Sequence, residues 1–331
     1  MNVLQRPREK EFCATMRDYI IDTDVTITFA VKYGGKTILD EEYVPDANNQ
    51  VRVRKLGKFC ELALWGVWCA GETSWQTDAA GTFTFLINGV QDGQSFVMFS
   101  RMQTKKDADA PGWLSEVNRK VTRDGCKEYV SMVMGRGAQV TVTGYASDGS
   151  NTDALLLRID SGDTVAPMTL EVSPERIKGL FPDLNLERYV VNCNDNRYEF
   201  LIDKTRYLDI WCFRYKNVYD MPETLSAVGG ISINGKNEDD TASMFGVDRK
   251  FAVKVADEYT ANSGIIMLQS DYKLWHNLMN AQEADILVDG EWLPILITKQ
   301  KYERELRRSV LKAVEFTFRM ADPEQNNLIQ V

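Results

Sequence analysis

Residues 25–44 read VTITFAVKYGGKTILDEEYV, and this stretch decides how the chain folds. Apolar and polar residues alternate through residues 25–33, so every second side chain points to the same face of an extended segment. Gly34 and Gly35 follow, and glycine tolerates the positive φ that a two-residue hairpin turn needs. A second β-prone run, residues 36–44, comes after them. The stretch therefore predicts an antiparallel β-hairpin.

The same alternation recurs to the C-terminus, so we predict a mainly β protein. With 331 residues, the chain is long enough for two domains. We expect two antiparallel β-sandwich or barrel-like domains with one or two short helices. The proline-rich residues 161–186 interrupt the pattern, and we place the boundary there, giving an N-terminal β domain over residues 1–165 and a C-terminal β domain over residues 166–331. The clearest helical pattern lies near residues 270–282, and Pro174 suits the first turn of a shorter helix.

Three details of the C-terminal half can be predicted as well. Residues 264–269 form an uncharged apolar run of strand length. Asp289 and Gly290 predict a hairpin turn, and Pro294, which has no backbone N–H, favours an edge position for the strand that follows. Residues 310–319 alternate strictly and predict the last strand.

The overall charge limits the classes of partner. The chain carries a net charge of -9, so bulk electrostatics oppose nucleic-acid binding. The most basic stretch is residues 301–308, KYERELRR, but its interleaved glutamates indicate a solvated surface. The N-terminal residues lack the apolar core of a secretory signal, and no run reaches the length of a membrane span. We therefore expect a protein that is made in the cytoplasm and has no membrane span.

The cysteines give no sign of a metal site or a disulfide framework. No pair has C-x-x-C spacing, and most have apolar neighbours, so we expect six free, buried thiols. His276 is the only histidine, so a zinc site has too few ligands. We expect no cofactor and no metal site. The six cysteines are Cys13, Cys60, Cys69, Cys126, Cys193 and Cys212.

Motifs for catalysis are also missing from the sequence. The chain contains no G-x-S-x-G elbow, no P-loop, no G-x-G-x-x-G and no H-E-x-x-H. We interpret His276 as a surface or half-buried structural side chain, because the sequence places no partner beside it. The densest carboxylate clusters, residues 40–42 and 238–240, lie beside turn signals and are expected in solvated loops. These observations favour a protein that is not an enzyme.

Seven tryptophans suggest a second function, because sugars stack on exposed aromatic rings. Trp65 and Trp68 have apolar neighbours and are expected in a core. Trp75 and Trp292 are the candidate ligand contacts. A β-sandwich carbohydrate-binding module is therefore the alternative function, with a glycan as the ligand.

Three segments resemble structural proteins that are encoded in phages and prophages of gut Bacteroidales. They are residues 43–59 (YVPDANNQVRVRKLGKF), residues 213–230 (FRYKNVYDMPETLSAVGG) and residues 289–322 (DGEWLPILITKQKYE…VEFTFRMAD). The third segment is similar to the C-terminal parts of tail-tube and baseplate-associated proteins. None of the segments carries a site motif, so no functional residue can be transferred from the family.

The resemblance implies a virion or tail-assembly component, distal-tail-like or baseplate-like, that performs no chemistry. Its expected partners are other tail or baseplate proteins and further copies of itself in a ring. Such rings form through contacts between two different surfaces of the same chain, and exposed strand edges are one way to make them. The protein would then be assembled into a virion or tail particle.

Overall fold

The computed structural model describes residues 1–235, 237–255, 257–301 and 312–325. The mainly β fold that the sequence predicts is confirmed. Most strand pairs are antiparallel, and two pairs are parallel. Residues 302–308 of the basic stretch lie outside the described residues. Residues 310–311 of the predicted last strand do so too.

The N-terminal group of strands contains the hairpin predicted at residues 25–44. A five-stranded sheet has the order β2-β9-β8-β4-β5, and a three-stranded sheet has the order β1-β3-β6. Tyr19, Phe29 and Phe85 meet in their shared core. The elements are β1 (Asn2–Gln5), β2 (Lys10–Phe12), β3 (Tyr19–Asp22), β4 (Ile27–Tyr33), β5 (Lys36–Tyr43), β6 (Gln50–Val53), α1 (Leu56–Leu62), β7 (Thr73–Trp75), β8 (Ala80–Ile87) and β9 (Val90–Met98), with a 3₁₀ turn at Cys13–Thr15.

The middle group forms two further sheets. One has the order β10-β16-β15-β12-β13, and the other has the order β11-β14-β7. Pro174 begins the short helix α2, as predicted. The elements are β10 (Arg119–Thr122), β11 (Tyr129–Met134), β12 (Gln139–Ala146), β13 (Asn151–Arg158), β14 (Ala166–Glu171), α2 (Pro174–Leu180), β15 (Leu186–Cys193) and β16 (Asn196–Ile202).

The C-terminal group forms a seven-stranded sheet, β18-β17-β23-β24-β25-β22-β19, and a separate two-stranded sheet, β20-β21. Helix α3 buries Leu274, Trp275 and Leu278 in the core of the larger sheet, as its apolar spacing predicts. The elements are β17 (Trp211–Lys216), β18 (Pro222–Ala227), β19 (Ile231–Asn234), β20 (Asn237–Met244), β21 (Val247–Val255), β22 (Glu258–Asn262), α3 (Asp271–Met279), β23 (Ala284–Val288), β24 (Glu291–Lys301) and β25 (Glu315–Met320), with a 3₁₀ turn at Pro323–Gln325.

The boundary predicted at residues 165 and 166 passes through two sheets. Strand β12 pairs with β15, and β14 pairs with both β11 and β7, so strands from the two sides are hydrogen-bonded to each other. The proline-rich stretch is part of the fold, because Pro167 lies within β14. Buried apolar residues form one large cluster for each of the three groups of strands, and a smaller cluster around Phe12 and Tyr219 lies at their junction.

Two predictions in the C-terminal half are wrong. Residues 264–269 contain no strand. Strand β24, which contains Pro294, is an interior strand between β23 and β25. The proline is tolerated because its carbonyl accepts a bond from Ala321 N, just beyond the end of β25 (2.8 Å). The N–H that Pro294 lacks would point to the same side as its carbonyl, towards Ala321. The pairing of β24 with β25 ends at Ile295 and Met320, so the missing donor lies beyond the paired residues.

The expectation of six free thiols is wrong for two of them. Cys126 and Cys212 form a disulfide that joins the middle group to strand β17, and the two are 86 positions apart. Their spacing gave no signal, because the pairing depends on how distant strands meet in space. Cys13, Cys60, Cys69 and Cys193 are free and buried, as predicted.

No helix among the described residues is long and apolar enough to cross a bilayer.

Candidate functional site

The most unusual surface feature is the hairpin formed by β20 and β21. Its strands pair with each other from Asn237 and Val255 down to Met244 and Val247. Within the described part of the chain, they join no other sheet. An isolated two-stranded hairpin is at best marginally stable in water. Contact with a partner would therefore stabilise this hairpin.

The turn of this hairpin, residues 244–247 (MFGV), is apolar, and we call it the apolar tip. Phe245 is 97% exposed, Met244 57% and Val247 56%. A single exposed apolar side chain is ordinary, but neighbouring ones in a loop indicate a contact surface.

The backbone of the tip makes Phe245 more unusual. Phe245 and Gly246 have φ values of 56° and 77°, the pattern of a tight hairpin turn with positive φ at both central positions. In the described part of the chain, three other turns share this pattern, and each begins with a residue that tolerates it: Gly34, Asn88 and Asp289. A bulky side chain in this region is an energetic outlier. The phenylalanine is thus costly for the turn, and its ring makes no contact among the described residues that would offset this cost.

The second feature is a cleft between the N-terminal and middle groups, with a volume of about 980 Å³. We call it the apolar cleft. Its apolar lining comes mainly from β9 and β11 and from the loops around residues 108–112 and 162–165. The main apolar side chains are Phe96, Met98, Met132, Val133, Met134 and Val165. Of these, Val165 is 58% exposed at the mouth, whereas Met98, Met132 and Met134 are buried.

Charged side chains surround the apolar cleft. Lys10 and Arg136 are cationic, and Asp109, Asp163 and Asp195 are anionic. All five are exposed. Among the described residues, none of them forms a salt bridge. The rim therefore offers both signs of charge to whatever binds there.

A second cavity of about 810 Å³ adjoins the first and shares Pro111, Gly112, Asp195 and Asn196 with it. Its lining is more basic and includes Lys105, Lys106, Arg197 and Lys273. Burial lowers the pKa of Lys106, whose ammonium group donates to Pro111 O at 3.3 Å. Lys273 is paired with Glu116 at 3.2 Å.

A cluster of buried polar side chains, which we call the polar seam, lies where the β17–β18 hairpin meets the middle group. Lys120 forms an ion pair with Glu128 and donates to Thr224 O at 2.7 Å. Ser115 and Asn217 both donate to Glu223, at 2.6 and 3.0 Å.

Burial raises the pKa of Glu223, and the charge of Lys120 opposes that rise. Each of these groups has its partner inside the protein. The seam therefore orients and holds the β17–β18 hairpin, and it is not exposed to a substrate.

The two predicted ligand contacts lie at different places, and neither ring stands free. Trp75 ends β7 and packs half-buried against the middle core. Trp292 lies on β24, where the Arg214 guanidinium sits 4.5 Å from its ring centre. The ring centre of Trp68 lies 4.1 Å from the same guanidinium. Trp65, expected in a core, is 52% exposed instead, because the loop after α1 turns it outwards.

The remaining sequence candidates are not brought together. His276 lies on the exposed side of α3 near Asn280. Residues 40–42 lie on the exposed part of edge strand β5, and residues 238–240 lie in strand β20 and not in a loop. Within the described residues, no group of three His, Cys, Asp or Glu side chains could hold a metal ion.

Sequence reasoning missed the apolar tip, although a signal was present. The pair Phe245-Gly246 occupies a turn position where this chain otherwise uses Gly-Gly, Asn-Gly or Asp-Gly. A search for turns that break this rule would have found it.

No protein-family description matches the sequence, and no curated protein matches it. One solved structure with some likeness is the I9–I11 tandem from titin, at 8% sequence identity. The alignment covers 78% of this chain and 93% of that one, with a TM-score of 0.19. A TM-score this low carries no argument about fold or function.

Proposed function

We propose that this protein is a non-enzymatic structural component of a phage or prophage tail-like assembly, and that it acts through protein–protein contacts. The single observation that supports this most is the projecting β20–β21 hairpin with its exposed apolar tip. The resemblance of three sequence segments to phage structural proteins is the reason why we propose a tail-like assembly.

Strand β13 offers a further contact surface. It is the last strand of its five-stranded sheet, and its residues 154–157 read ALLL. Leu155 is exposed on it. Edge strands without charge or proline in their centre readily pair with another chain. An assembly protein would use such an edge together with the projecting hairpin.

A carbohydrate-binding module is less well supported. A sugar platform needs ring faces open to solvent. Trp292 has Arg214 against its ring, and Trp75 packs against the middle core. Of the seven tryptophans, all of them described, Trp65 is the one whose side chain is largely exposed, and one ring forms a weak platform.

The experiment that tests the proposal is deletion of the gene from its native element, followed by electron microscopy of the particles. We expect tails to be missing or defective, and a plasmid copy of the wild-type gene to restore them. A Phe245→Asn copy should fail to restore them, because asparagine suits the turn but removes the ring.

A matched control is Val90→Ser. Val90 follows the Asn88-Gly89 turn at the position that Val247 occupies after Gly246, and it is 70% exposed. We expect this copy to restore normal tails. Intact, infectious particles from the deletion strain would refute the structural role, and turnover of a substrate that a point mutation abolishes would make the protein an enzyme.

A further inference from the structure

We propose that the partner of the apolar tip is a second copy of this chain, and that the tip of one copy seats in the apolar cleft of the next. The inference rests on the proposed function and names the partner of the same surface. The two surfaces lie on different parts of one molecule, and no described residue of the chain fills the cleft or covers the tip.

The tip has the chemistry of an inserting group. Its three apolar side chains project from the end of a narrow two-stranded ribbon, with Phe245 the most exposed. An aromatic side chain can bury roughly 150 to 250 Å² at an interface. A costly backbone conformation that persists without an internal contact points to a function, and binding of the ring supplies one.

The cleft has the matching chemistry of a receptor. Its volume of about 980 Å³ is close to the upper end of the range for protein binding sites. Phe96, Val133 and Val165 offer partly or largely exposed apolar surface inside it, whereas Met98, Met132 and Met134 line it as buried side chains that are at most 7% exposed. The apolar side chains of Met244, Phe245 and Val247 suit such a surface.

The charges beside the two surfaces are also complementary. Asp248 and Arg249 follow the tip directly and are exposed, with no salt bridge among the described residues. Around the cleft, Lys10 and Arg136 can pair with the aspartate, and Asp163 can pair with the arginine. Both signs occur on each side, so the pairing also fixes the orientation of the inserted hairpin.

The symmetry of this contact follows from its two unlike halves. A tip that binds a different surface on its neighbour makes a heterologous contact, which closes into a ring or grows as a filament. The tip alone buries less than the roughly 1,000 Å² of a stable interface. We therefore expect weak association of the free protein, which becomes strong only when several contacts close together.

The test uses purified full-length protein and sedimentation velocity at concentrations up to about 1 mM. We expect the wild type and the Val90→Ser control to self-associate. Phe245→Asn removes the tip's ring, and Val165→Asp places a charge at the mouth of the cleft, where Val165 is exposed and its replacement stays solvated. Each variant should associate roughly 30-fold more weakly than the wild type or worse.

Mixing the two defective variants gives the sharpest result. The first retains a cleft and the second retains a tip, so the mixture should form a 1:1 dimer that grows no further, at concentrations where each variant alone is monomeric. No dimer in the mixture, a monomeric wild type at the highest concentration, or unchanged association of Val165→Asp would each overturn the inference. The sedimentation results do not depend on particle assembly. If the purified protein does not self-associate but tails still require Phe245, the proposed function stands, and the partner of the tip is another tail protein.

Discussion

Two hairpins that follow one another in the chain have opposite environments. The β17–β18 hairpin carries Arg214, Lys216 and Glu223, and all three are buried. The β20–β21 hairpin carries Met244 and Phe245 at its turn, and both are exposed. Charged side chains are thus buried in one hairpin, and apolar side chains are exposed at the turn of the other. The polarity of a single side chain therefore does not decide its burial; the availability of partners does.

The buried hairpin finds its partners far away in the sequence. Lys216 donates to Gly66 O at 2.6 Å, and Arg214 pairs with Asp285 through two hydrogen bonds of 2.9 and 2.5 Å. Burying a charge without such partners would cost several kcal/mol. Among the described residues, the projecting hairpin has an ion pair between its own strands, Lys250 with Asp239, and no partners far away in the sequence. We expect it to find such partners on another copy.

The largest effect is expected from breaking the Arg214 site. Arg214→Met should lower the free energy of unfolding by about 3 to 5 kcal/mol, because it leaves Asp285 buried without its cation. Urea denaturation measures this. The double variant Arg214→Met with Asp285→Leu should recover much of the loss. If the single variant is as stable as the wild type, the ion pair between Arg214 and Asp285 does not keep this hairpin in the protein interior.

The disulfide should have the next largest effect, since Cys212 lies in the buried hairpin. Replacing Cys126 and Cys212 by alanine should lower the free energy of unfolding by about 2 to 4 kcal/mol, as expected for closure of a long loop. The same loss should appear when a reductant is added to the wild type. The matched control is Cys13→Ala, which removes a buried free thiol and leaves the disulfide intact. A reductant should destabilise this variant as much as it destabilises the wild type.

A pH-dependent effect is expected at Asp271, which lies beside Arg123 and Ser226 near the buried hairpin. Burial raises the pKa of Asp271 to about 7, although Lys120 and Arg123 lower it in part. The folded state therefore holds a proton that the unfolded state releases near its ordinary pKa of 3.8, and this contribution to stability is lost as the pH rises towards 7.

In Asp271→Asn this pH dependence should disappear. Relative to the wild type, the variant should gain about 1 kcal/mol in free energy of unfolding for each pH unit between about 4 and 7. Thermal or urea unfolding at several pH values checks this. Parallel pH profiles for the two proteins would show that the carboxyl group is not held neutral.

The smallest effect on stability is expected at the projecting hairpin. Phe245→Asn should change the global free energy of unfolding by no more than about 0.5 kcal/mol, because the side chain contacts solvent. Hydrogen exchange of the amides in β20 and β21 should slow, because asparagine accepts the positive φ better than phenylalanine. Faster exchange in the variant would show that the ring stabilises the turn, and would weaken the contrast between the two hairpins.

The sequence by itself determined the local structure. Alternation of apolar and polar residues predicted the hairpin at Gly34-Gly35, the hairpin at Asp289-Gly290 and the mainly β class, because side chains along a strand alternate between two faces. Helical spacing predicted α3. These features depend on neighbours a few positions apart, which a sequence displays directly.

Only the tertiary structure decided which distant segments meet. It paired β12 with β15 across the predicted boundary, joined Cys126 to Cys212, and placed Pro294 in an interior strand where its ladder ends. It also brought Lys120 and Glu128 to the polar β18, so that this strand could be buried, and left Phe245 exposed. The physical reason is that burial and pairing depend on contacts between residues far apart in the chain, and the periodicity of a single strand contains no information about them.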